Sequence, residues 1–537
     1  MKHTVSPLIL GLMMLGLCAA PVYAATGTAS LQSQINSLKS EVNKLKNQQS
    51  SNSSNTAKTK SSRANNPAKL STTDTSIAAG NSQIEGPTDL PTQGPLYLPV
   101  DFDVPGQSFV SSGPYIGIPL EFTGGHLIVN SPSINEDVVL LQVNKNINQR
   151  LAALGRPKES VGSHVLLSGL VEGQALYRWG GGASSVSDID LTTANFDAFI
   201  MGPSTWTSAF MELAYDNNIG TQTGSFSSNN RMLNSRVFIN KAFVILGDFQ
   251  KSPFYASFGQ MYVPFGTYST TMVSAPLTRI LARTQARALV VGYKQQTTNS
   301  LLATAYIFNG PSHASATTHV NNGGINISYN FKEGNYIATV GGGVIGNMAD
   351  SLGMQFTGNN NNTPPLFGGF GGPTETYTIP GTTTVIQQNT GSEQLVHRVP
   401  AYDINLKIGI GDNIQLIGEY ITASTHFSST DLTFDGHDAK PSAFNIEGVY
   451  NMPWFVNPTS ISVSYQKSKD ALAIGLPSSR YSIAVNRSFW KNTLQTLEFR
   501  RDYDYGKTDT STGSEIAGPS GSGKAMNMVT LQFDYYF

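Results

Sequence analysis

The 537-residue sequence predicts an all-β protein, a transmembrane antiparallel β-barrel of about 16 strands with an N-terminal periplasmic extension containing a short coiled coil. Three observations carry this expectation. The last nine residues alternate apolar and polar side chains and end on an aromatic. Charged residues make up 13% of the chain, against about a quarter in ordinary globular proteins. The links between period-2 segments are long and short in alternation, as in outer-membrane barrels.

At the amino terminus, Lys2 and His3 precede an apolar run from Leu8 to Ala20, and Val22-Tyr23-Ala24 supplies a small-residue cleavage site. Residues 1–24 therefore read as a signal peptide, too short to span a membrane as a helix. The one cysteine, Cys18, lies within it, and Leu17 replaces the small residue that a lipoprotein signal needs. The mature chain is thus expected to have no disulfide and no cysteine-based metal site. No other segment approaches about 18 consecutive apolar residues, so a membrane crossing would require a closed barrel. A net charge of −1 argues against a general nucleic-acid binder.

Within 25–46, Leu31, Ile35, Leu38, Val42 and Leu45 are spaced 4, 3, 4, 3. This is a short coiled-coil seam that would allow a homo-oligomer; a solitary amphipathic helix is the alternative. Residues 47–95 are polar and nearly free of large apolar groups, a flexible linker. Residues 96–160 form a small periplasmic or plug-like segment. There Ser133 and Glu136 make a capping box, and Val138, Leu141, Ile147, Leu151 and Leu154 continue a helix until Gly155 and Pro157.

The barrel occupies 161–537. Its first strand sets Val165, Leu167, Val171, Ala175 and Tyr177 against His164, Ser168, Glu172, Gln174 and Arg178. Sixteen strands are centred near residues 171, 195, 210, 241, 258, 290, 304, 327, 341, 405, 418, 446, 463, 483, 498 and 531. In the last, Val529, Leu531, Phe533, Tyr535 and Phe537 share one face, while Thr530, Gln532 and Asp534 share the other. Phe533, Tyr535 and Phe537 resemble the terminal signal by which the barrel assembly machinery inserts such chains into outer-membrane lipid.

The third external link, 264–285, differs from the others in being moderately apolar and basic. Ser274 would cap a helix with Pro276 in its first turn, placing Arg279, Arg283 and Arg287 four apart along one face. A loop of this kind is expected to fold into the lumen and narrow it. Its guanidinium groups suit carboxylate, phosphate or catecholate-like oxygens and can filter anions. Alternatively they pair with wall carboxylates such as Glu172, Glu212 or Glu419 and hold the loop still.

Gly113-Pro-Tyr-Ile-Gly, residues 127–137, Gly259-Gln-Met-Tyr-Val-Pro-Phe-Gly266 and Leu281-Ala-Arg-Thr-Gln-Ala-Arg-Ala288 resemble the legiobactin-receptor (LbtU-like) siderophore porin family from about residue 100 onward. The resemblance implies a barrel of about sixteen strands, with a periplasmic extension, importing a ferric siderophore without an energised plug. The loop motif Gln260, Pro264, Phe265 and Gly266 is also similar to a stretch in phosphate-selective porins. No ligand residues follow from the resemblance.

Enzyme chemistry finds little support. The phosphate-loop-like stretch 518–525 has Ala525 where magnesium binding needs Ser or Thr, and the histidines form no His-Glu-x-x-His pair. Asp502 and Asp504 would sit in a solvated turn, or touch calcium at the outer rim. No cofactor or bound metal is expected. A plugged receptor of about 22 strands would not fit in 377 barrel residues. The sequence thus points to a porin or receptor for a small anion, most readily a ferric siderophore. A general or phosphate-selective anion porin is the alternative, and a structural protein tethered toward the cell wall is another.

Overall fold

The computed structural model describes residues 102–104, 108–112, 134–153, 163–216, 236–314, 319–356, 374–378, 385–389 and 393–537, the last span without 514–519 and a few single loop residues. Alternating apolar and polar residues form strands because each face then meets one solvent. They are β1 (Ser163–Gly180), β2 (Ala183–Met201), β3 (Thr207–Asp216), β4 (Arg236–Gly247), β5 (Phe254–Tyr262), β6 (Gln285–Lys294), β7 (Ser300–Phe308), β8 (Asn322–Glu333), β9 (Tyr336–Ile345), β10 (Ala401–Ile410), β11 (Ile414–Ala423), β12 (Ser442–Asn451), β13 (Thr459–Lys469), β14 (Ser479–Arg487), β15 (Thr493–Tyr503) and β16 (Ala525–Tyr536). Each pairs antiparallel with its sequence neighbours, and β16 closes the ring on β1 from Met526↔Gly180 to Tyr536↔Leu170. All sixteen expected centres fall inside these strands. Closure leaves no open edge, as lipid requires.

The faces divide as expected. Leu289, Val291, Ile325, Ile327, Ile404, Ile446, Val463, Ile483, Leu531 and Phe533 are exposed on the outside. Ser462, Ser464, Gln466, Asn445, Thr496, Thr530, Gln532 and Asp534 are buried inside. An apolar outer band around a polar interior places this barrel in an outer membrane. One rim carries short links such as 202–206, 248–253, 295–299 and 334–335; the other carries the long ones. The exception is the β1–β2 link, where Gly181 and Gly182 (φ 66° and 81°) make a tight hairpin at the long-loop rim.

The interior is not empty. Helix α1 (Glu136–Ala153) packs Leu140, Leu141, Val143 and Ile147 in one apolar cluster with the inward-facing Phe243, Ile245 and Tyr255 of β4 and β5 and with Phe249 of the adjoining turn. Two buried asparagines on the helix bond each other, Asn148 Nδ2 donating to Asn144 Oδ1 at 2.9 Å. Its later turns reach the short-turn rim, where Lys145 Nζ donates to Gln296 Oε1 at 2.9 Å and its carbonyl accepts from Gln250 at 3.2 Å. Sequence left open whether this segment sits below or within the barrel; α1 lies within. A hairpin of Phe102–Val104 and Ser108–Ser112 adds to the sheet, its second strand running parallel to the start of β1 from Ser108↔Ser163. The signal peptide, coiled-coil seam, linker and Ser133 of the capping box lie outside the described residues.

Candidate functional site

The link between β5 and β6 turns into the barrel. Gly259 (φ 142°) lies so close to β4 that a Cβ there would meet the Ala242 carbonyl oxygen at 2.3 Å. Gln260 donates from Nε2 to the Ile239 and Asn240 carbonyls at 3.1 and 2.9 Å, satisfying backbone at a bulge in β4. The Val263 amide reaches the Thr284 carbonyl at 3.0 Å and closes the root of the loop. Pro264 and Phe265 are buried just beyond it, and Gly266 takes the positive φ of 78° that turns the chain inward under Tyr268. Gln260, Pro264, Phe265 and Gly266 thus shape the hinge of the loop.

From this hinge the loop crosses to the opposite wall, where three inward glutamates hold it. Glu419 of β11 accepts the amides of Thr267 and Tyr268 at 2.6 and 3.0 Å and the Thr278 hydroxyl at 2.5 Å. Glu447 of β12 accepts the Thr270 hydroxyl at 2.7 Å, the Thr271 amide at 2.7 Å and the Thr271 hydroxyl. Glu498 of β15 accepts the amide and hydroxyl of Ser274 at 2.8 and 2.5 Å. Gln466 Oε1 takes the Leu277 amide at 2.9 Å, and Arg480 donates to the Ala275 carbonyl at 3.0 Å. Hydrogen bonds to charged groups contribute about 1.5–3 kcal/mol each, so the loop is a fixed constriction.

Its helix, α2 (Leu277–Ala282), is shorter than the spacing suggests. Pro276 stands at its start with no side-chain cap, because Ser274 is taken by Glu498. Arg283 is already extended (φ −62°, ψ 124°), and pairing with β5 begins at Gln285↔Tyr262. Sheet pairing overrides the helical spacing, which corrects the expected three-arginine ladder. Arg279, on α2, is half-buried on the loop. Arg283 stacks over the Tyr262 ring, its Cζ 4.5 Å from the centroid. Arg287 lies on β6 and is exposed beside Leu289 and Val291, on the outer surface.

The expected carboxylate partners are also engaged elsewhere. Glu419 holds the loop backbone, and Glu212 pairs with Lys241 at 2.8 Å. Glu172 bonds Thr192 and, at 3.2 Å, Gln174, with Arg279 within electrostatic range but not in contact. Among the described residues Arg279 and Arg283 form no ion pair. Burial, and then Arg283, push the Arg279 guanidinium below its ordinary range. Tyr262, Glu172 and Tyr268 offset part of that push, and the guanidinium stays protonated.

A second cluster, which sequence did not single out as a unit, fastens α1. Lys241 Nζ lies 2.8 Å from both Glu136 of α1 and Glu212 of β3, all nearly inaccessible to solvent. The next residue, Asp137, accepts the Ser257 hydroxyl. The bulge in β4, opposite Glu212 and Leu213, inserts Asn240 and turns Lys241 inward. Inward parity on an outer-membrane strand was the available signal for Glu447 and Glu498. Asp502, expected in a solvated turn, is instead an inner-wall residue clamped by Arg480 at 2.8 Å and Arg500 at 3.2 Å. Its neighbours are arginines, which excludes it as a calcium ligand at the rim.

No family model matches the sequence. A UPF0422 protein of Coxiella burnetii is 34% identical over 435 residues, covering 80% of this chain and 84% of that one. A UPF0422 protein of Legionella pneumophila (strain Paris) is 35% identical over 440 residues, covering 80% and 76%. Among solved structures, the outer-membrane channel DcaP of Acinetobacter baumannii aligns with a TM-score of 0.43 at 14% identity, covering 70% of this chain and 98% of that one. An anion-selective porin from Comamonas acidovorans aligns with a TM-score of 0.41 at 13% identity, covering 70% and 100%. Likenesses this distant say nothing about what passes through the barrel.

Proposed function

This chain belongs to the UPF0422 family, and we propose that it acts there as a porin or receptor that binds and passes an anionic small molecule, a ferric siderophore in the first instance. The observation that supports this is the pair Arg279 and Arg283 on the constriction loop, without a carboxylate partner among the described residues. The neighbouring glutamates are committed to the loop backbone and threonines. An anion entering between loop and wall would supply the missing negative charge, and guanidinium forks match the paired oxygens of catecholate or carboxylate groups. Passage would be passive, past α1 and the constriction loop. The wider resemblance to siderophore porins, from about residue 100 onward, favours an iron chelate over other anions; the loop-root motif is shared with phosphate-selective porins.

A phosphate- or chloride-passing channel is the second reading, favoured by the space that α1 and the loop take from the lumen. Flux through the full-length protein in proteoliposomes separates them, with a ferric siderophore, phosphate and chloride as solutes. The first reading expects saturable siderophore uptake that exceeds leakage of a neutral solute of equal size. Flux of phosphate and chloride with the siderophore excluded sinks it in favour of the second.

A further inference from the structure

Among the described side chains of β1–β16, carboxylates face the interior, apart from Glu333 beside a short turn. The outer face nevertheless carries cations at the long-loop end: Arg287 alone on β6, and Lys467, Lys469 and Arg501 together on β13 and β15. Register fixes their arrangement. Lys467 faces Ser479, which faces Tyr503, and one row nearer the membrane centre Tyr465 faces Tyr481, which faces Arg501. The three tyrosines form a continuous strip, with ring centroids 4.9 Å apart for Tyr465–Tyr481 and 6.0 Å for Tyr481–Tyr503. Arg501 lies over Tyr503 at 5.0 Å. All three cations are exposed, and none has a carboxylate partner among the described residues.

Tyrosine strips mark the boundary between hydrocarbon and headgroups. Long loops face outside the cell in such barrels, so these cations sit at headgroup depth in the outer leaflet. Charge on a lipid-facing strand calls for a counter-charge from the lipid, since lipid tails offer none. Lys467 and Lys469 are two residues apart on one strand, about 7 Å, and Arg501 lies two strands away, roughly 10 Å. The lysine pair and Arg501 are far enough apart for each to hold a phosphoryl group of its own. We propose that the outer face of β13–β15 binds a lipid carrying two separated phosphoryl groups, one at the lysine pair and one at Arg501, with its acyl chains along Val463, Ile483 and Phe499.

The test uses the full-length protein in neutral detergent and native mass spectrometry with one acylated disaccharide lipid bearing two, one or no phosphates, and with phosphatidylglycerol. The bisphosphorylated lipid should bind on the order of tenfold more tightly than the unphosphorylated form. The triple variant Lys467→Ser, Lys469→Ser, Arg501→Gln should erase that preference, and Arg287→Gln should keep it. Equal binding of all three disaccharide lipids, equal retention of phosphatidylglycerol, or an unchanged preference in the triple variant overturns the assignment. If the triple variant does not fold, a salt series on the unaltered protein decides. The preference must shrink as ionic strength rises, and a salt-independent preference overturns it equally.

Discussion

Lys241 of β4 and Glu136 of α1, 105 residues apart in sequence, meet at 2.8 Å inside the barrel, and the same ammonium holds Glu212 at 2.8 Å. The first turn of the lumenal helix is therefore fastened to the wall by one buried cation between two carboxylates. Lys241→Met leaves both carboxylates uncompensated, a loss of about 3–5 kcal/mol for a broken buried pair. The expected result is a barrel that still closes but releases α1, seen in planar bilayers as larger and noisier single-channel conductance. Conductance identical to the unaltered protein would show that α1 is held by its apolar face alone.

The two lumenal arginines and the outer one should behave differently. Arg279→Ala with Arg283→Ala should lower anion-over-cation selectivity, and weaken binding of an anionic solute at least roughly tenfold if each lost contact contributes about 1.5–3 kcal/mol. Arg287→Ala should leave both unchanged, because that residue lies outside the pore. Replacing the first two by Lys rescues a purely electrostatic filter and fails to rescue a bidentate site. Reversal potentials in asymmetric chloride, with blockade by a ferric siderophore, read all three variants.

Glu447 fastens the middle of the loop through two consecutive threonines. Glu447→Ala strands these donors and should cost several kcal/mol at about 1–3 per buried unsatisfied group. The loop would detach and conductance rise. Glu447→Gln, which keeps one acceptor, should fall between. Trypsin sensitivity at Arg279 and Arg283 in the folded barrel gives a second readout, increased in Glu447→Ala and slight in the parent.

The terminal aromatic has a specific seat. Phe537 and Gly169 exchange backbone hydrogen bonds at 2.9 and 3.0 Å, and a Cβ on Gly169 would lie 2.2 Å from Phe537 Cζ. Gly169→Val should therefore impair barrel assembly much as deletion of Phe537 does. Wild-type amounts of heat-modifiable folded barrel in either variant would count against a role for this contact in closure.

The strand set was legible because lipid enforces strict alternation: inward Thr530, Gln532 and Asp534 and outward Leu531, Phe533 and Tyr535 admit one register only. The inward path of the β5–β6 loop was legible from its apolar, basic character. Its internal geometry was not, since the four-residue spacing of arginines suits a helix equally well until strand pairing claims Gln285 onward. The partners of the loop were hidden for another reason. Glu447 and Glu498 lie 141–224 residues from the groups that the loop glutamates receive, counting Glu419 with them, and no local pattern reports such a separation. Helix α1 was foreseen as a helix, yet its place inside the barrel rests on Lys241, whose inward aim depends on a bulge that period-2 counting skips over.

The fastening of the constriction loop also orders the protein's biogenesis. Loop residues 267–278 are made before every glutamate that secures them, and β15 is the last strand but one. Loop closure over such separations is entropically slow, so the fastenings on Glu419, Glu447 and Glu498 form only once the carboxyl-terminal strands are in place. Helix α1, translated first of all the described helices, must wait for β3 and β4 before its acidic turn has a place to go. Because β16 closes the ring on β1, the wall that fixes the loop is whole only once the last strand is paired.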